Sequence, residues 1–171
     1  MLIEVAVLQR FVLLLGHPVY SLTVTLFSLL LGTGVGASLS RRVEDRSLRR
    51  AGIIGLTMVG VVALMLMAGS QRIVEWAIPF SRATRIGVAI GLLAPVGVLL
   101  GVPMPTGLRL LAARSPQMVA WAWGMNGALS VLGATLAIFI AMNWGFRMTL
   151  LSAAAVYGIA LLAFSQASSH Q

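Results

Sequence analysis

Five long apolar runs, separated by short arginine-bearing links, constrain this chain more than anything else in it. They cover residues 19–39, 53–69, 86–102, 119–142 and 149–164, and a shorter run over residues 2–16 precedes them. A bilayer core about 30 Å thick takes about 20 apolar residues per helix, with about 17 as the lower limit. Four of the runs reach that length and the fifth does so with its flanks. Hydrophobic residues make up 59% of the chain and charged residues 9%, where a water-soluble domain carries about 25% charge. The expected fold is therefore all-α: a single polytopic transmembrane bundle over residues 1–171, with about six helices. Five are full spans, one is a shorter N-terminal helix, and short amphipathic segments lie at the interface.

The run over 2–15 reads as a helix about 22 Å long, which is either tilted, partly interfacial, or the end of a longer helix. Gly16-His17-Pro18 interrupts it, and proline suits the first turn of the next helix. The second helix then covers 18–40 and the third 51–69. The link over 70–85 alternates Arg72, Glu75, Trp76, Phe80, Arg82 and Arg85 with apolar residues, which reads as a surface-lying segment interrupted at Pro79. A fourth helix over 84–102 contains Pro95, where a kink is expected. A short amphipathic stretch over 106–113 follows the Pro103–Pro105 break. The fifth and sixth helices are expected over 116–143 and 147–165, with Trp121 and Trp123 at one membrane interface and Trp144 at the other.

All 12 basic residues are arginine, against four acids, giving a net charge of +8. They cluster beside helix ends, above all Arg41, Arg42, Arg46, Arg49 and Arg50. That placement points to topology and anionic lipid contact rather than nucleic acid. With six crossings, seven link arginines fall on one side and four on the other, which puts both termini in the cytoplasm by the excess of positive charge. A bacterial inner membrane is the expected location. The absence of cysteine excludes disulfides, thiolate metal sites and iron–sulfur clusters.

Helices in lipid associate through small residues. Ser21, Thr25, Ser28, Gly32, Gly36 and Ser40 share one face of the second helix. Gly87, Gly91 and Pro95 form one stripe of the fourth, and Gly97 and Gly101 another. Asn126, Ser130, Gly133 and Ala137 line the fifth, where Gly127 is also a candidate packing position. The same faces read alternatively as a polar pathway or ligand groove lined by Thr25, Ser28, Asn126 and Ser130. Glu4, Gln9 and Arg10 stand inside an apolar run, and ionisable groups there raise a functional hypothesis. The alternative is snorkelling or structural pairing. His17 reads as a helix cap, or else as an axial ligand to a haem or to chlorophyll magnesium. His170 lies in the polar tail. With Tyr20 added, Glu4, Gln9, Arg10, His17, Asn126 and Ser130 are the candidate ligand or partner contacts. No catalytic constellation, metal site or other cofactor motif is legible.

Two groups of motifs carry a family resemblance. Ile3-Glu4-Val5-Ala6-Val7-Leu8-Gln9-Arg10-Phe11 and Gly16-His17-Pro18-Val19-Tyr20 are followed by Gly101-Val102-Pro103-Met104-Pro105-Thr106-Gly107 and Trp121-Ala122-Trp123-Gly124-Met125-Asn126-Gly127. From Ile3 to about Gly145 the chain resembles the membrane part of spermidine-synthase-like bacterial membrane proteins. The resemblance implies a membrane module without the soluble aminopropyltransferase-like domain of longer members, whose glycine-rich and acidic motifs do not occur here. A non-catalytic module that anchors or scaffolds a partner is the leading expectation. An accessory subunit of a photosynthetic or respiratory complex and a half-transporter that oligomerises are the alternatives. The link over 36–50 also resembles the basic loop between the second and third helices of major-facilitator transporters. The implied partners are the lipid bilayer and other membrane subunits.

Overall fold

A computed structural model describes residues 1–166. It is helical almost throughout, with α1 (Leu2–Leu15), α2 (Pro18–Arg41), α3 (Leu48–Ala77), α4 (Arg82–Leu100), α5 (Pro103–Arg114) and α6 (Met118–Gln166), and a 3-10 turn, Asp45–Ser47, before α3. Four helical stretches are long and apolar enough to cross a membrane: Pro18–Arg41, Asp45–Ala77, Arg82–Arg114 and Met118–Gln166. The chain is an integral membrane protein. Four such stretches stand where five full spans were expected, because the last runs through a kink at Gly145 that joins the last two expected helices.

That element, α6, is 49 residues long. A straight helix of that length would measure roughly 74 Å, more than twice the hydrocarbon core. It breaks at Gly145, whose φ of 82° and ψ of 172° lie in a region open essentially to glycine alone. Residues 126–136 and Ala153, Val156 and Tyr157 line one shared groove. In a straight helix Gly133 and Tyr157 would lie roughly 36 Å apart, so the chain folds back at Gly145 into two antiparallel limbs, 118–144 and 146–166. The second limb returns along α3, where Phe164 closes over Gly52.

The short N-terminal helix is the hub of the bundle rather than an interfacial appendage. It packs against α2, α3, α4 and α6. Ile3, Ala6, Val7, Phe11, Leu14 and Leu15 are buried, and their steps of three and four gather them on one broad face, while Leu13 is exposed. Gly16, at φ 72°, ends it, and its N–H donates to the Val12 carbonyl, a left-handed glycine cap.

In α2 the whole small-residue face is buried: Ser21, Thr25, Ser28, Gly32, Gly36 and Ser40. It meets α4. A Cβ on Gly32 would lie 2.5 Å from the Ala94 carbonyl oxygen, and one on Gly36 would overlap the Val98 carbonyl. Reciprocally, a Cβ on Gly97 would lie 2.7 Å from the Leu29 carbonyl oxygen, and one on Gly101 would overlap the Thr33 carbonyl. The two backbones touch, which is how helices gain dispersion energy where lipid offers no hydrophobic drive. The other stripe of α4 does not take part: Gly87, Gly91 and Pro95 are exposed, and a Cβ on either glycine meets nothing within 4 Å. Gly127 is likewise open, while Gly133 approaches the Met1 side chain at 3.3 Å. Packing at Gly87, Gly91 and Gly127 is thus corrected, because neighbours gather on one side of each helix only.

The expected surface segment over 70–85 also resolves differently. α3 runs on to Ala77, and its buried residues keep one stripe throughout: Leu48, Gly52, Gly55, Val59, Ala63, Leu66, Ser70, Val74 and Ala77. Steps of three and four define a helix face, and that face does not stop where the apolar run stops. Only the turn at 78–81 is irregular. Pro95 is accommodated inside a continuous α4.

Candidate functional site

The expected site residues fall into three separate regions. The first lies between α1 and α3. The Arg10 Nη2 donates to Gln71 Oε1 at 3.3 Å, and Gln71 Nε2 donates to Glu75 Oε1 at 2.9 Å. Arg10 also lies over the Phe146 ring, 5.6 Å from its centroid. Glu4 pairs elsewhere, with the Met1 amino group at 3.0 Å. The Gln9 amide oxygen, the Arg10 Nε and the Thr25 hydroxyl are buried without a hydrogen-bond partner among the described residues. Such atoms cost about 1–3 kcal/mol each in an apolar interior. Glu4 and Arg10 are not brought together, since six residues along a helix put them on different faces. Gln71 and Glu75 are the partners that sequence reasoning missed. Their i, i+4 spacing was the available signal.

The second region lies at the end of the bundle where α1 turns into α2. His17 is the N-cap of α2: its Nδ1 accepts the Val19 N–H at 3.4 Å, and Pro18 takes the first helical position. The His17 ring meets the Tyr20 ring edge-on, with centroids 5.6 Å apart. Arg82 lies over the Tyr20 ring, 5.5 Å from its centroid. A cavity of about 340 Å³ is lined by Leu15, Gly16, His17, Tyr20, Arg82 and Arg85.

The third is a groove of about 470 Å³ between the start of α1 and the two limbs of α6, lined by leucines together with Asn126, Ser130 and Tyr157. Ser130 spends its hydroxyl on the Asn126 carbonyl at 2.7 Å. Thr25 and Ser28 do not join it, because they are buried on α2. The single pathway through Thr25, Ser28, Asn126 and Ser130 is thus two unconnected places. Burial falls off along the first limb of α6: Ala137 is buried, Gly133 and Ser130 are half-buried, and Asn126 is exposed. The limb leaves the bundle as it runs toward its start, carrying Trp121, Trp123, Met125, Leu129, Val131 and Leu132 outward.

The arginine-rich link is more organised than a solvated loop. Arg109, from α5, donates to the Ser40 carbonyl at 2.9 Å and pairs with Asp45 at 2.6 Å. It thereby satisfies the end of α2, whose last carbonyls lack helical partners. Arg46 pairs with Glu44 at 2.6 Å. Arg41, Arg42, Arg49 and Arg50 are exposed beside them. Among the described residues, no group of three or more histidine, aspartate or glutamate side chains gathers as a metal site. His170 lies outside the described residues. No family model, curated protein or solved structure matches the chain.

Proposed function

We propose that this protein is a non-catalytic membrane module that holds a partner subunit beside it in the bilayer, through the first limb of α6. The carrying observation is that limb itself. Residues 118–136 are mostly exposed, and the outward side is apolar with Gly124 and Gly127 open to close approach. Small residues next to large apolar ones are what helix–helix association in lipid uses. The resemblance to spermidine-synthase-like membrane proteins supports the same reading, as the membrane part of a larger functional unit. The arginine-rich end, with Arg41, Arg42, Arg46, Arg49, Arg50, Arg109 and Arg114, faces the cytoplasm in this proposal, in a bacterial inner membrane.

A photo-crosslinking residue placed at Leu132 tests the reading in native membranes. It should capture a discrete second protein, whereas the same residue at Leu64, on the outer face of α3, should not. Equal labelling at both positions, lipid adducts alone, would overturn the assignment. The half-transporter reading draws on the Gln9 and Arg10 atoms left without partners inside the bundle. Substrate flux lost in Arg10→Gln proteoliposomes would favour it. Pigment ligation at His17 has only Nε2 to use, because Nδ1 caps α2. A visible absorption band abolished by His17→Ala is its signature.

A further inference from the structure

We infer that the cavity between the α1–α2 corner and the first turn of α4 is a binding site for a phosphate group. Its walls bring together Arg82, Arg85, His17 and Tyr20 over a floor made by Leu15. Its volume of about 340 Å³ is at the small end of the range for ligand pockets, about 300–1,000 Å³.

The electrostatics point the same way. α2 and α4 both begin here, so two helices present their N-terminal ends to this corner. That end of a helix carries roughly half a positive charge and unpaired N–H groups. Arg82 and Arg85 sit in the first turn of α4, where a cation is unfavourable. Neither makes an ion pair with a carboxylate among the described residues: Glu44 and Asp45 are engaged at the opposite end, Glu4 pairs with Met1, and Glu75 accepts from Gln71. Two guanidinium groups and two helix N-termini with no counter-charge conflict locally, and such conflicts concentrate at functional sites. A bound anion removes this one.

The side chains are placed to receive it. Arg85 is anchored by its Nε to the Phe80 carbonyl at 3.0 Å and by Nη1 to the Leu14 carbonyl at 3.4 Å, leaving Nη2 uncommitted among the described residues. Arg82 makes no hydrogen bond among the described residues, and its contact is the face of Tyr20, which holds the planar fork in position while leaving its N–H groups available. His17 has Nε2 left, and the Tyr20 hydroxyl makes no hydrogen bond within the described residues. Planar, fork-shaped donors match phosphate oxygens. The site lies on the side of the bundle away from Arg41, Arg42 and their neighbours. The phosphate belongs to a lipid headgroup or is free in solution.

Native mass spectrometry of the full chain, released from nanodiscs containing equal phosphatidylglycerol and galactosyl diacylglycerol, tests the site. The wild type should retain the phospholipid preferentially. Arg82→Gln should weaken retention about tenfold, the effect of losing a charge-assisted hydrogen bond, whereas Arg42→Gln at the opposite end should not. Arg82→Lys, which keeps the charge and loses the fork, should fall between them and serves if the glutamine variant does not fold. Displacement of the phospholipid by millimolar inorganic phosphate would identify the free ion as the ligand; retention in its presence would identify the headgroup. Equal retention of both lipids by the wild type, or a folded Arg82→Gln that binds as the wild type does, would overturn the proposal.

Discussion

Glycines in this chain divide by what lies opposite them, and residue type alone does not tell the classes apart. Gly36 faces the Val98 carbonyl, while Gly91 faces nothing within 4 Å. Gly36→Ala should therefore destabilise the bundle by about 1–3 kcal/mol, the cost of forcing packed backbones apart. Gly91→Ala should be neutral or slightly stabilising, since alanine is preferred over glycine in a helix interior by about 1 kcal/mol. Denaturation in mixed micelles, followed by far-ultraviolet circular dichroism, compares the two directly. The sequence placed Ser21, Thr25, Ser28, Gly32, Gly36 and Ser40 on one face because helical periodicity is local. It could not say which of two α4 stripes meets that face, because that depends on where a second helix lies. His17 as a cap was legible from Gly-His-Pro. The Arg82–Tyr20 contact joins residues 62 positions apart, and no local pattern announces it.

At the level of elements, α1 and α2 were legible nearly to the residue, since Gly16 and Pro18 punctuate the chain chemically. α3 was cut short in the sequence reading because polarity rises at Gln71, Arg72 and Glu75. Those residues continue the helix on its exposed side, where Gln71 receives Arg10 of α1. The link expected between the last two helices, over 144–146, narrows to a one-residue reversal at Gly145. Gly145→Ala should strain the backbone by about 1–3 kcal/mol and open the two limbs. Spin labels at Gly133 and Tyr157 measure this: close together in the wild type, they should separate toward the roughly 36 Å of a straight helix in the variant. An unchanged short distance would mean that packing against α1, not the glycine, holds the fold-back.

For the molecule as a whole, the arrangement places the turns at 16–17 and 78–81 and the Gly145 reversal at one end, and the 42–47 link, α5 and the end of α6 at the other. The chain contains no cysteine, so single introduced thiols report sidedness without background. Cysteines at Asp45 and Arg114 should react from the same side of sealed vesicles, and one at Phe80 from the opposite side. If Arg114 and Phe80 were to share a side, the path of α4 and α5 would need redrawing. Membrane residence was legible at this scale from composition alone, because five apolar runs leave no soluble alternative. The sharpness of the last turn was not, because it rests on the backbone of the single residue Gly145.

The central position of α1 has a consequence for how the protein comes into being. Its buried face is completed partly by α6, so α1 must wait for a helix made more than 100 residues later before its surroundings are whole. Contacts of such long sequence separation are slow to form. Until then Arg10 lacks Phe146 beside it, and Met1 lacks Gly133. A chain cut short before the reversal should persist as an open set of helices, exposed to quality-control proteases, even though α2 and α4 already grip each other.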